Sequence, residues 1–374
     1  MKNKIICAIF ILLIFGFTLF DLFTPDREFS EWENRTLTQA PTLTLKTLAS
    51  GEFGKQYESY ITDQFVLRDT FVKAKFLSDM ALGKRDSGGV YVTDNSLYSV
   101  QPDPEYKIID KNMGAMASFA ERTGLSSYLT VVPSSTYIYR DSLPPFAPVI
   151  DEKEIFYYIG KNIKGVNFVD VTDKMHESRA NYNYFRTDHH WTADGALIGY
   201  NAFLNALGKE SLTKDSFSVI QISDDFVGTL SSKSGALGIE KDILQRFDRG
   251  NVLDVEIWNG VESNSYESIY FDEYLDKKDK YSYYLGTNQP IVRIKTDAQG
   301  GRLLAFKDSY AHIMTPMMLG DWSEIVLVDL RYVRERIDVL LERVTGLKPS
   351  EFDVALFLYS TETFTTQDNM IWIK

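Results

Sequence analysis

Apolar residues form one continuous run near the N-terminus, and elsewhere they are interleaved with polar positions. The run covers residues 5–20, follows two lysines, and continues through Leu22 and Phe23 after a single aspartate. With these two residues included, it is long enough for a helix that spans a membrane. Because positive charge is retained on the cytoplasmic side, we expect the lysine-rich end to stay in the cytoplasm and the rest of the chain to be exported.

Two interpretations of this run are open, a cleaved signal peptide and an uncleaved anchor. Signal peptidase requires small residues where the apolar stretch ends. Residues 18–25 are bulky instead, so we predict a signal anchor over residues 1–23 that the mature protein keeps. Residues 24–50 are polar with spaced proline and threonine, and they are predicted to form a stalk or an ordered lead-in.

In the rest of the chain, short apolar runs alternate with amphipathic segments. Three-to-four spacing of apolar residues predicts helices over residues 51–83, 109–122, 152–163, 193–207, 310–319 and 333–344. Runs rich in β-branched and aromatic residues predict strands at residues 90–92, 97–99, 127–132, 166–169, 303–306, 325–329 and 354–359. Such alternation is typical of an α/β fold with a mostly parallel sheet that is covered on both faces. Residues 210–290 lack helical periodicity, which predicts a β-rich or irregular insertion.

Composition narrows the class of protein. Of the 374 residues, 44% are hydrophobic and 25% are charged, as in globular proteins with a sizeable core. The net charge of −12, without a basic block, argues against nucleic acid as a partner, because binding there depends on neutralising phosphates. With one cysteine, the chain has neither an internal disulfide nor a cysteine-rich zinc module.

Two of the four histidines lie beside an aspartate, directly before the helix predicted at 193–207. In an extended stretch, side chains at i and i+2 point the same way, so Asp188 and His190 should share a side and His189 should face the other. An aspartate beside a histidine fixes the imidazole tautomer and stabilises its protonated form, as in a Ser-His-Asp triad. Thr192 is then the predicted N-cap of the following helix.

A second segment combines an apolar strand with Asp308 and Ser309, and a helix follows at once. A serine in such a turn lies at the carboxyl edge of a parallel sheet, where α/β proteins place their sites. Backbone N–H groups at the start of the helix can stabilise a developing oxyanion. We therefore expect Ser309 as the nucleophile, His190 as its base and Asp188 as the group that orients the base.

Simpler interpretations apply to both segments. A serine between a strand and a helix often only caps the helix, and a pair of histidines is often structural. A metal site is a third interpretation, in which the Asp188 segment would be joined by the distant His176 or His312. Since no histidine or glutamate accompanies the segment at helical ligand spacing, we expect no metal and no cofactor.

The tetrapeptide Asp188-His189-His190-Trp191 resembles the signature of the bacterial DHHW proteins. These proteins are similar to the alginate O-acetyltransferases of the AlgX and AlgJ type, within the SGNH hydrolase-like superfamily. The other matching stretches are Glu33-Asn34-Arg35, Thr62-Asp63-Gln64-Phe65, Arg68-Asp69, Gly88-Gly89-Val90-Tyr91, Lys307-Asp308-Ser309-Tyr310 and Asp329-Leu330-Arg331-Tyr332. The resemblance covers most of the chain after residue 23 and is weakest over 210–280.

The resemblance implies a three-layer SGNH hydrolase-like domain over residues 51–374, with the insertion at about 210–290. It implies that Asp188 and His190 match the Asp-x-His motif of the acetyltransferases and that Ser309 matches their nucleophile. The three residues then occur along the chain in the permuted order Asp, His, Ser. One departure is the lysine at position 307, where SGNH enzymes carry glycine before Asp-Ser. Without that glycine the approach of the backbone is restricted, which leaves the oxyanion geometry open.

Four further residues are candidates for substrate or oxyanion binding, namely His189, Asn288, Tyr310 and Arg331. Arg331 follows a strand at the same edge and would meet an anionic sugar or the acyl carbonyl, or else form a salt bridge at a helix start. By resemblance to the asparagine of SGNH enzymes, Asn288 would donate to the oxyanion.

These expectations describe an extracytoplasmic, membrane-anchored O-acetyltransferase acting on a cell-surface or secreted polysaccharide. Because acetyl-coenzyme A is absent outside the cell, the resemblance implies a membrane-bound O-acyltransferase as the partner that supplies acetyl groups. A carbohydrate acetylesterase with the same triad is one alternative, since the choice of acceptor depends on water exclusion. A non-catalytic polysaccharide-binding or assembly protein is the other.

Overall fold

The computed structural model describes residues 2–30 and 35–374, so that Glu33 and Asn34 of the first matching stretch lie outside the described residues. The chain divides into two compact units. One comprises Met1–Gly88 and Ser232–Leu237, and the other comprises Gly89–Ser231 and Gly238–Lys374.

The smaller unit is mainly helical. Its elements, in chain order, are α1 (Lys2–Phe23), β1 (Phe29–Ser30), β2 (Arg35–Thr36), α2 (Leu45–Ala49), α3 (Glu52–Gln64), α4 (Arg68–Ala81) and β3 (Asp86–Ser87). Within α1, the segment Lys4–Phe23 is long and apolar enough to span a membrane. No other helix among the described residues meets this condition.

The single helix predicted over 51–83 is wrong, because the chain turns between α3 and α4. Leu67 has a φ of 59°, in the left-handed region, and this residue precedes the first residue of α4. The apolar spacing continues across the turn without a glycine or proline, so the pattern alone does not reveal the break.

The larger unit contains the remaining elements. Its helices are α5 (Tyr106–Thr123), α6 (Ser135–Ile138), α7 (Glu152–Asn162), α8 (Thr172–Glu177), α9 (Ala193–Ala206), α10 (Thr229–Ser234, which ends in the smaller unit), α11 (Ala311–Met318), α12 (Ile337–Thr345) and α13 (Thr361–Thr366). Its strands are β4 (Val90–Val92), β5 (Leu97–Ser99), β6 (Ser126–Val132), β7 (Asn167–Phe168), β8 (Ser218–Phe226), β9 (Asp242–Asp248), β10 (Val252–Trp258), β11 (Ser263–Tyr266), β12 (Ile291–Thr296), β13 (Arg302–Lys307), β14 (Glu324–Val328) and β15 (Val354–Ser360). Turns of 3-10 helix cover Arg140–Ser142, Lys214–Ser216, Asp272–Tyr274, Lys280–Tyr283, Leu330–Tyr332, Pro349–Glu351 and Asn369–Ile373.

Eight strands form one mixed sheet in the order β11-β10-β12-β14-β13-β15-β6-β7. Strands β14, β13, β15, β6 and β7 run parallel, whereas β12, β10 and β11 extend the sheet by antiparallel pairing. The predicted α/β fold is therefore confirmed, and the sheet is mixed, with four parallel and three antiparallel pairings. The antiparallel pairings arise because β10 and β11, in the region expected to be an insertion, join the main sheet through β12. Strands β8 and β9 pair separately in a two-stranded sheet.

Both faces of the sheet are buried. Leu303 and Ala305 of β13 pack in one apolar core with residues of α9 and α11, whereas Leu304 and Phe306 pack in another with residues of α5, α7 and α12. Alternate side chains of a strand point to opposite faces, so a strand covered on both sides is apolar throughout. This burial explains why the predicted strand at 303–306 has no polar alternation.

The parallel strands end at one edge and so bring distant residues together. Strands β13, β15, β6 and β14 end at Lys307, Ser360, Val132 and Val328, respectively. Ser309 therefore lies at the same edge as the residues that follow β6, β14 and β15. This is the edge at which open α/β sheets place their sites.

Candidate active site

The segment that carries the two adjacent histidines is a bent loop rather than the extended stretch we predicted. An isolated bridge pairs Tyr184 with Trp191, and the Phe185 N–H donates to the His190 carbonyl at 3.2 Å. Inside this loop the His190 N–H donates to Asp188 Oδ1 at 3.0 Å. Aspartate accepts from the N–H two residues on in Asx turns, so Asp188 and His190 share a side because of this turn.

The structure brings together Asp188, His190 and Ser309 in one chain of hydrogen bonds. His190 Nδ1 lies 2.6 Å from Asp188 Oδ1, and His190 Nε2 lies 2.7 Å from Ser309 Oγ. The side chains of Asp188 and His190 are 2% and 6% exposed, whereas Ser309 is half-buried. In this geometry the imidazole can take the Ser309 proton at Nε2 while Nδ1–H donates to the carboxylate.

Backbone and side-chain groups of Thr229 hold the Asp188 carboxylate. The Thr229 N–H and hydroxyl donate to Asp188 Oδ2 at 2.8 and 2.9 Å. Burial alone would raise the pKa of Asp188, but the charges of His189 and His190, the hydrogen bond from His190 and the hydrogen bond from the Thr229 N–H together lower it. Asp188 is therefore ionised at neutral pH, as a group that stabilises an imidazolium must be.

Two tyrosines pack around the histidine pair. The Tyr281 hydroxyl donates to the Ser309 carbonyl at 2.9 Å, and its ring stacks on His190 with the centroids 4.0 Å apart. Tyr310, a predicted site residue, is buried, and its hydroxyl donates to the His189 carbonyl at 2.5 Å. The Trp191 indole N–H in turn donates to the Tyr310 carbonyl at 2.8 Å. Tyr310 therefore links the loop of the histidines to the turn of the serine.

Asp308 shapes the turn that presents Ser309. Its Oδ1 accepts from the Tyr310 N–H at 3.0 Å, and its Oδ2 accepts from the N–H and hydroxyl of Ser360, each at 2.8 Å. The Ser309 N–H makes no hydrogen bond to any residue between 35 and 374. This amide is thus available to donate to an oxyanion beside Ser309 Oγ.

The lysine that replaces glycine before Asp-Ser belongs to a buried polar cluster. Lys307 is 1% exposed, and its Nζ lies 2.8 Å from His312 Nε2 and 3.5 Å from Asp329 Oδ2. Burial lowers the pKa of Lys307, and burial together with the charge of Lys307 lowers the pKa of His312. Lys307 and His312 flank Ser309 in sequence, and Asp329 supplies the negative charge that a buried ammonium requires.

Arg331 and Asn288 lie beside each other. Arg331 forms a two-pronged salt bridge with the buried Asp329, at 2.8 and 2.6 Å, and its Nη2 also donates to Asn288 Oδ1 at 3.3 Å. This is the salt bridge at a helix start that we gave as the alternative for Arg331. No described hydrogen bond joins Arg331 or Asn288 to Ser309, so their substrate and oxyanion roles stay predictions.

His189 is the more exposed of the two adjacent histidines, with 36% of its side chain accessible. Its Nδ1 lies 2.9 Å from Thr229 Oγ1, the hydroxyl that donates to Asp188. Asp188, His189 and His190 place potential metal ligands within 4.8 Å of one another. A tetrahedral zinc ion would separate its ligand atoms by roughly 3.3 Å. The 2.6 Å between His190 Nδ1 and Asp188 Oδ1 is a hydrogen-bond length instead, so this geometry fits a proton relay better than an ion.

A narrow polar cleft opens beside the histidine pair. It is lined by Ser99, Gln101, Val132, Ser134, Ser135, His189, Tyr310, Ser360, Thr361 and Glu362. Below it lies the buried carboxylate of Glu152, which accepts from the Ser134 N–H at 2.9 Å and from the Thr361 hydroxyl at 2.9 Å. The lining includes the hydroxyls of four serines and one threonine and the side-chain amide of Gln101, all of which can exchange hydrogen bonds with a polar ligand.

Several residues of this site escaped prediction from the sequence. Thr229 and Tyr281 lie in the region without periodicity, and Ser134 and Thr361 follow strands without any motif. Ser134 and Thr361 lie within two residues of the ends of the parallel strands β6 and β15, and this position was the one signal in the sequence that could have identified them.

Comparisons with known proteins agree with this fold. A family model described as DHHW protein matches residues 78–328. The chain is similar to a DHHW family protein from Eubacterium siraeum, with 21% identity and a TM-score of 0.65 over 77% of this chain and 95% of that one. It is also similar to Bacillus cereus PatB1, solved with a sulfonyl adduct, with 18% identity and a TM-score of 0.63 over 75% and 97% of the two chains.

A weaker likeness is to the O-acetyltransferase domain of Pseudomonas putida AlgJ, with 16% identity and a TM-score of 0.47 over 75% of this chain and 93% of that one. No match was found among curated proteins. The family model covers more than half of the chain and includes the loop of Asp188 and the turn of Ser309. The family predicted from the sequence is therefore confirmed, and the chain belongs to the DHHW family.

Proposed function

We propose that this protein is an O-acetyltransferase that moves an acetyl group onto a hydroxyl of a cell-surface or secreted polysaccharide. The observation that carries the proposal is the 2.7 Å separation of His190 Nε2 from Ser309 Oγ, with Asp188 bonded to the other ring nitrogen. A nucleophile, its base and the group that orients the base define the machinery of acyl transfer. By the same proposal, the domain is SGNH-like with its triad in permuted order.

In the first half-reaction, Ser309 Oγ bonds to the acetyl carbonyl carbon as its proton passes to His190 Nε2. The leaving oxygen of the donor takes that proton when the donor C–O bond breaks, which leaves acetyl-Ser309. In the second half-reaction, His190 Nε2 takes the proton of the acceptor hydroxyl, whose oxygen attacks the acetyl carbon. Ser309 Oγ then leaves and recovers the proton from His190.

The charge that develops on the acetyl oxygen needs a donor, and the Ser309 N–H meets this need. It makes no bond to the described part of the larger unit, and it belongs to a turn that Asp308 holds. A donor fixed before the reaction costs no reorganisation when the oxyanion forms.

The mouth of the polar cleft is the proposed place where one hydroxyl of the acceptor enters, because the interior of about 20 Å³ has room for about one water-sized group. His189 and Tyr310 line it, and the hydroxyls of Ser135, Ser360 and Thr361 can exchange hydrogen bonds with a sugar. With α1 as a single membrane anchor, the larger unit would act outside the cytoplasm. The acetyl donor would then come from a membrane-bound O-acyltransferase partner, since no acetyl-coenzyme A is present there.

The test uses the full chain in detergent with 4-nitrophenyl acetate as donor and a panel of neutral, amino-sugar and uronic-acid oligosaccharides as acceptors. We expect acetylated oligosaccharide from the native chain and none from Ser309→Ala, detected by mass spectrometry. Acetate release without acetylated sugar would instead identify an acetylesterase. If a folded chain gives neither product, the result favours a binding or assembly role for the protein.

A further inference from the structure

The anchor helix and the corner between α3 and α4 are in direct contact within the smaller unit. The ring of Phe17 in α1 lies 6.1 Å from that of Phe65 and 5.8 Å from that of Phe71, and the latter two rings are 5.9 Å apart. The Val66 N–H donates to Asp21 Oδ1 at 2.9 Å, so the corner is also hydrogen-bonded to the anchor.

The position of Phe17 along the anchor sets the depth of this contact. Phe17 precedes Phe23, the last residue of the candidate span, by six residues, which corresponds to roughly 9 Å along a helix. The span of 20 residues matches the thickness of the hydrocarbon core, so Phe23 marks the non-cytoplasmic boundary. Phe65 and Phe71, which contact Phe17, must then lie below that boundary.

Apolar side chains at this corner are exposed rather than packed. Leu67 is 52% exposed, Phe71 is 46% exposed and Ile61 is 37% exposed. A cleft of about 450 Å³ opens beside them, with Ile61, Phe65, Phe71 and Val72 in its walls and Arg68 and Lys75 among its lining. Walls of this kind suit an acyl chain. Both cations have carboxylate neighbours, since Lys75 Nζ lies 2.7 Å from Asp79 Oδ2 and Arg68 Nη1 lies 3.9 Å from Asp69 Oδ1, and a headgroup phosphate would share them with these carboxylates.

Polar contacts begin where the corner would leave the membrane. The Tyr60 hydroxyl donates to Asp26 at 3.0 Å, and Gln64 exchanges hydrogen bonds with the backbone of Arg27, each at 2.9 Å. Arg27 also pairs with Asp69 at 3.1 Å. Asp26 and Arg27 follow the end of α1 by a few residues, at the level of the headgroups, where tyrosine is enriched in membrane proteins.

We propose that this corner, residues 61–75, is a phospholipid-binding surface that enters the non-cytoplasmic leaflet beside α1. The inference rests on the anchor of the proposed function but not on its chemistry. Insertion removes the exposed apolar side chains from water and places an acyl chain in the cleft. The smaller unit is thereby held against the membrane by a second contact besides its anchor.

The experiment measures the depth of spin labels in the full chain, reconstituted in phosphatidylcholine vesicles. Cys7, the one cysteine of the chain, lies in α1 and reports the anchor in the native protein. In a Cys7→Ser background, Leu67→Cys and Ile61→Cys report the corner. Val261→Cys, at a residue 89% exposed in the larger unit, is the matched control. Collision rates with lipid-soluble oxygen and with a water-soluble nickel chelate give the depth of each label.

We expect an oxygen-to-nickel ratio at positions 61 and 67 that is severalfold higher than at position 261 and approaches that at position 7. If the labels at 61 and 67 are as accessible to nickel as the label at 261 while position 7 is in lipid, the lipid-binding surface is overturned and the anchor is left intact. That outcome would favour a protein partner on this corner. A water-exposed label at position 7 would overturn the anchor and this inference together, without bearing on Ser309.

Discussion

The ring of Tyr281 lies parallel to the imidazole of His190, with the ring centroids 4.0 Å and the planes 9° apart. The hydroxyl of the same tyrosine donates to the Ser309 carbonyl at 2.9 Å. One buried side chain therefore contacts both the proposed base and the backbone of the proposed nucleophile. Its ring restricts the plane of the imidazole, while its hydroxyl fixes the turn.

Substitution of Tyr281 separates these two contacts. Tyr281→Phe keeps the ring and loses one hydrogen bond worth about 1 kcal/mol, so kcat/KM for acetyl-ester turnover should fall severalfold. Tyr281→Ala frees the imidazole, and a loss on the order of 10²-fold is expected because small misplacements are costly in catalysis. Tyr157→Ala, at a residue 70% exposed on α7, is the control and should match the native chain. Equal activity of all three variants would show that Tyr281 does not position the base.

The two adjacent histidines should behave differently. His190→Ala should reduce acetyl-ester turnover on the order of 10³-fold or more, because it removes the base bonded to Ser309. His189→Ala should cost much less, because the ring nitrogens of His190, not those of His189, are bonded to Asp188 and Ser309. His189 Nδ1 lies 3.6 Å from Asp188 Oδ1, so its loss removes a nearby charge but not the base. Steady-state kinetics with and without added zinc distinguish the alternatives. Equal losses in both variants, reversed by zinc, would indicate a metal site.

Gly228 lies so close to Asp188 that no side chain fits between them. A Cβ atom at this position would be 2.2 Å from Asp188 Cβ, and the chain would have to shift. Gly228→Ala should lower the free energy of unfolding by about 1–3 kcal/mol and turnover on the order of 10²-fold. Gly114→Ala, in α5 with open space around it, should instead stabilise the chain by about 0.5–1 kcal/mol. Chemical denaturation and kinetics of both variants test this, and a neutral Gly228→Ala would contradict the packing of Asp188.

Glu152 makes stability depend on pH. Burial raises the pKa of Glu152 from 4.5 to about 7, against the donors from Ser134 and Thr361, which lower it. Between these two values the folded chain holds a proton that the unfolded chain has lost, so stability should fall as the pH rises from about 4.5 to about 7. Glu152→Gln has no ionisable group at position 152. Over this pH range its free energy of unfolding should therefore fall by about 3 kcal/mol less than the free energy of unfolding of the native chain.

Unfolding midpoints in urea, measured for the full chain in detergent from pH 4.5 to 8, test this dependence. Glu362→Gln is the control, because it removes an exposed carboxylate next to Thr361 in sequence and should leave the pH profile unchanged. Parallel profiles for the native chain and Glu152→Gln would show that Glu152 is ionised throughout the range.

Local patterns predicted the parallel half of the sheet and most helices. Strands β13, β14 and β15 are buried on both faces, so each is a continuous apolar run that can be recognised in isolation. The antiparallel half could not be predicted, because β10 pairs with β12 across more than thirty intervening residues. Apolar residues alternate with polar ones within each strand, as at Val255 and Ile257 of β10 and at Val292 and Ile294 of β12, but this alternation does not identify the partner strand.

The same distinction applies to the site. Asp188, His190 and Ser309 lie in short motifs beside predicted elements, so local sequence was enough to propose them. Thr229 and Tyr281 contact these residues only after folding, and neither belongs to a motif. The Asx turn at Asp188 also placed His190 correctly for a reason other than the extended backbone that we expected.

Covalent labelling of Ser309 tests the central claim most directly. The full chain and the variants His190→Ala, Asp188→Asn and Ser309→Ala are treated with an arylsulfonyl fluoride, and the modified peptide is identified by mass spectrometry. We predict rapid modification at Ser309 in the native chain, labelling slowed on the order of 10³-fold in His190→Ala, weaker labelling in Asp188→Asn and none at position 309 in Ser309→Ala. Equal rates in the native chain and His190→Ala, or modification only at other residues, would contradict a serine nucleophile activated by His190.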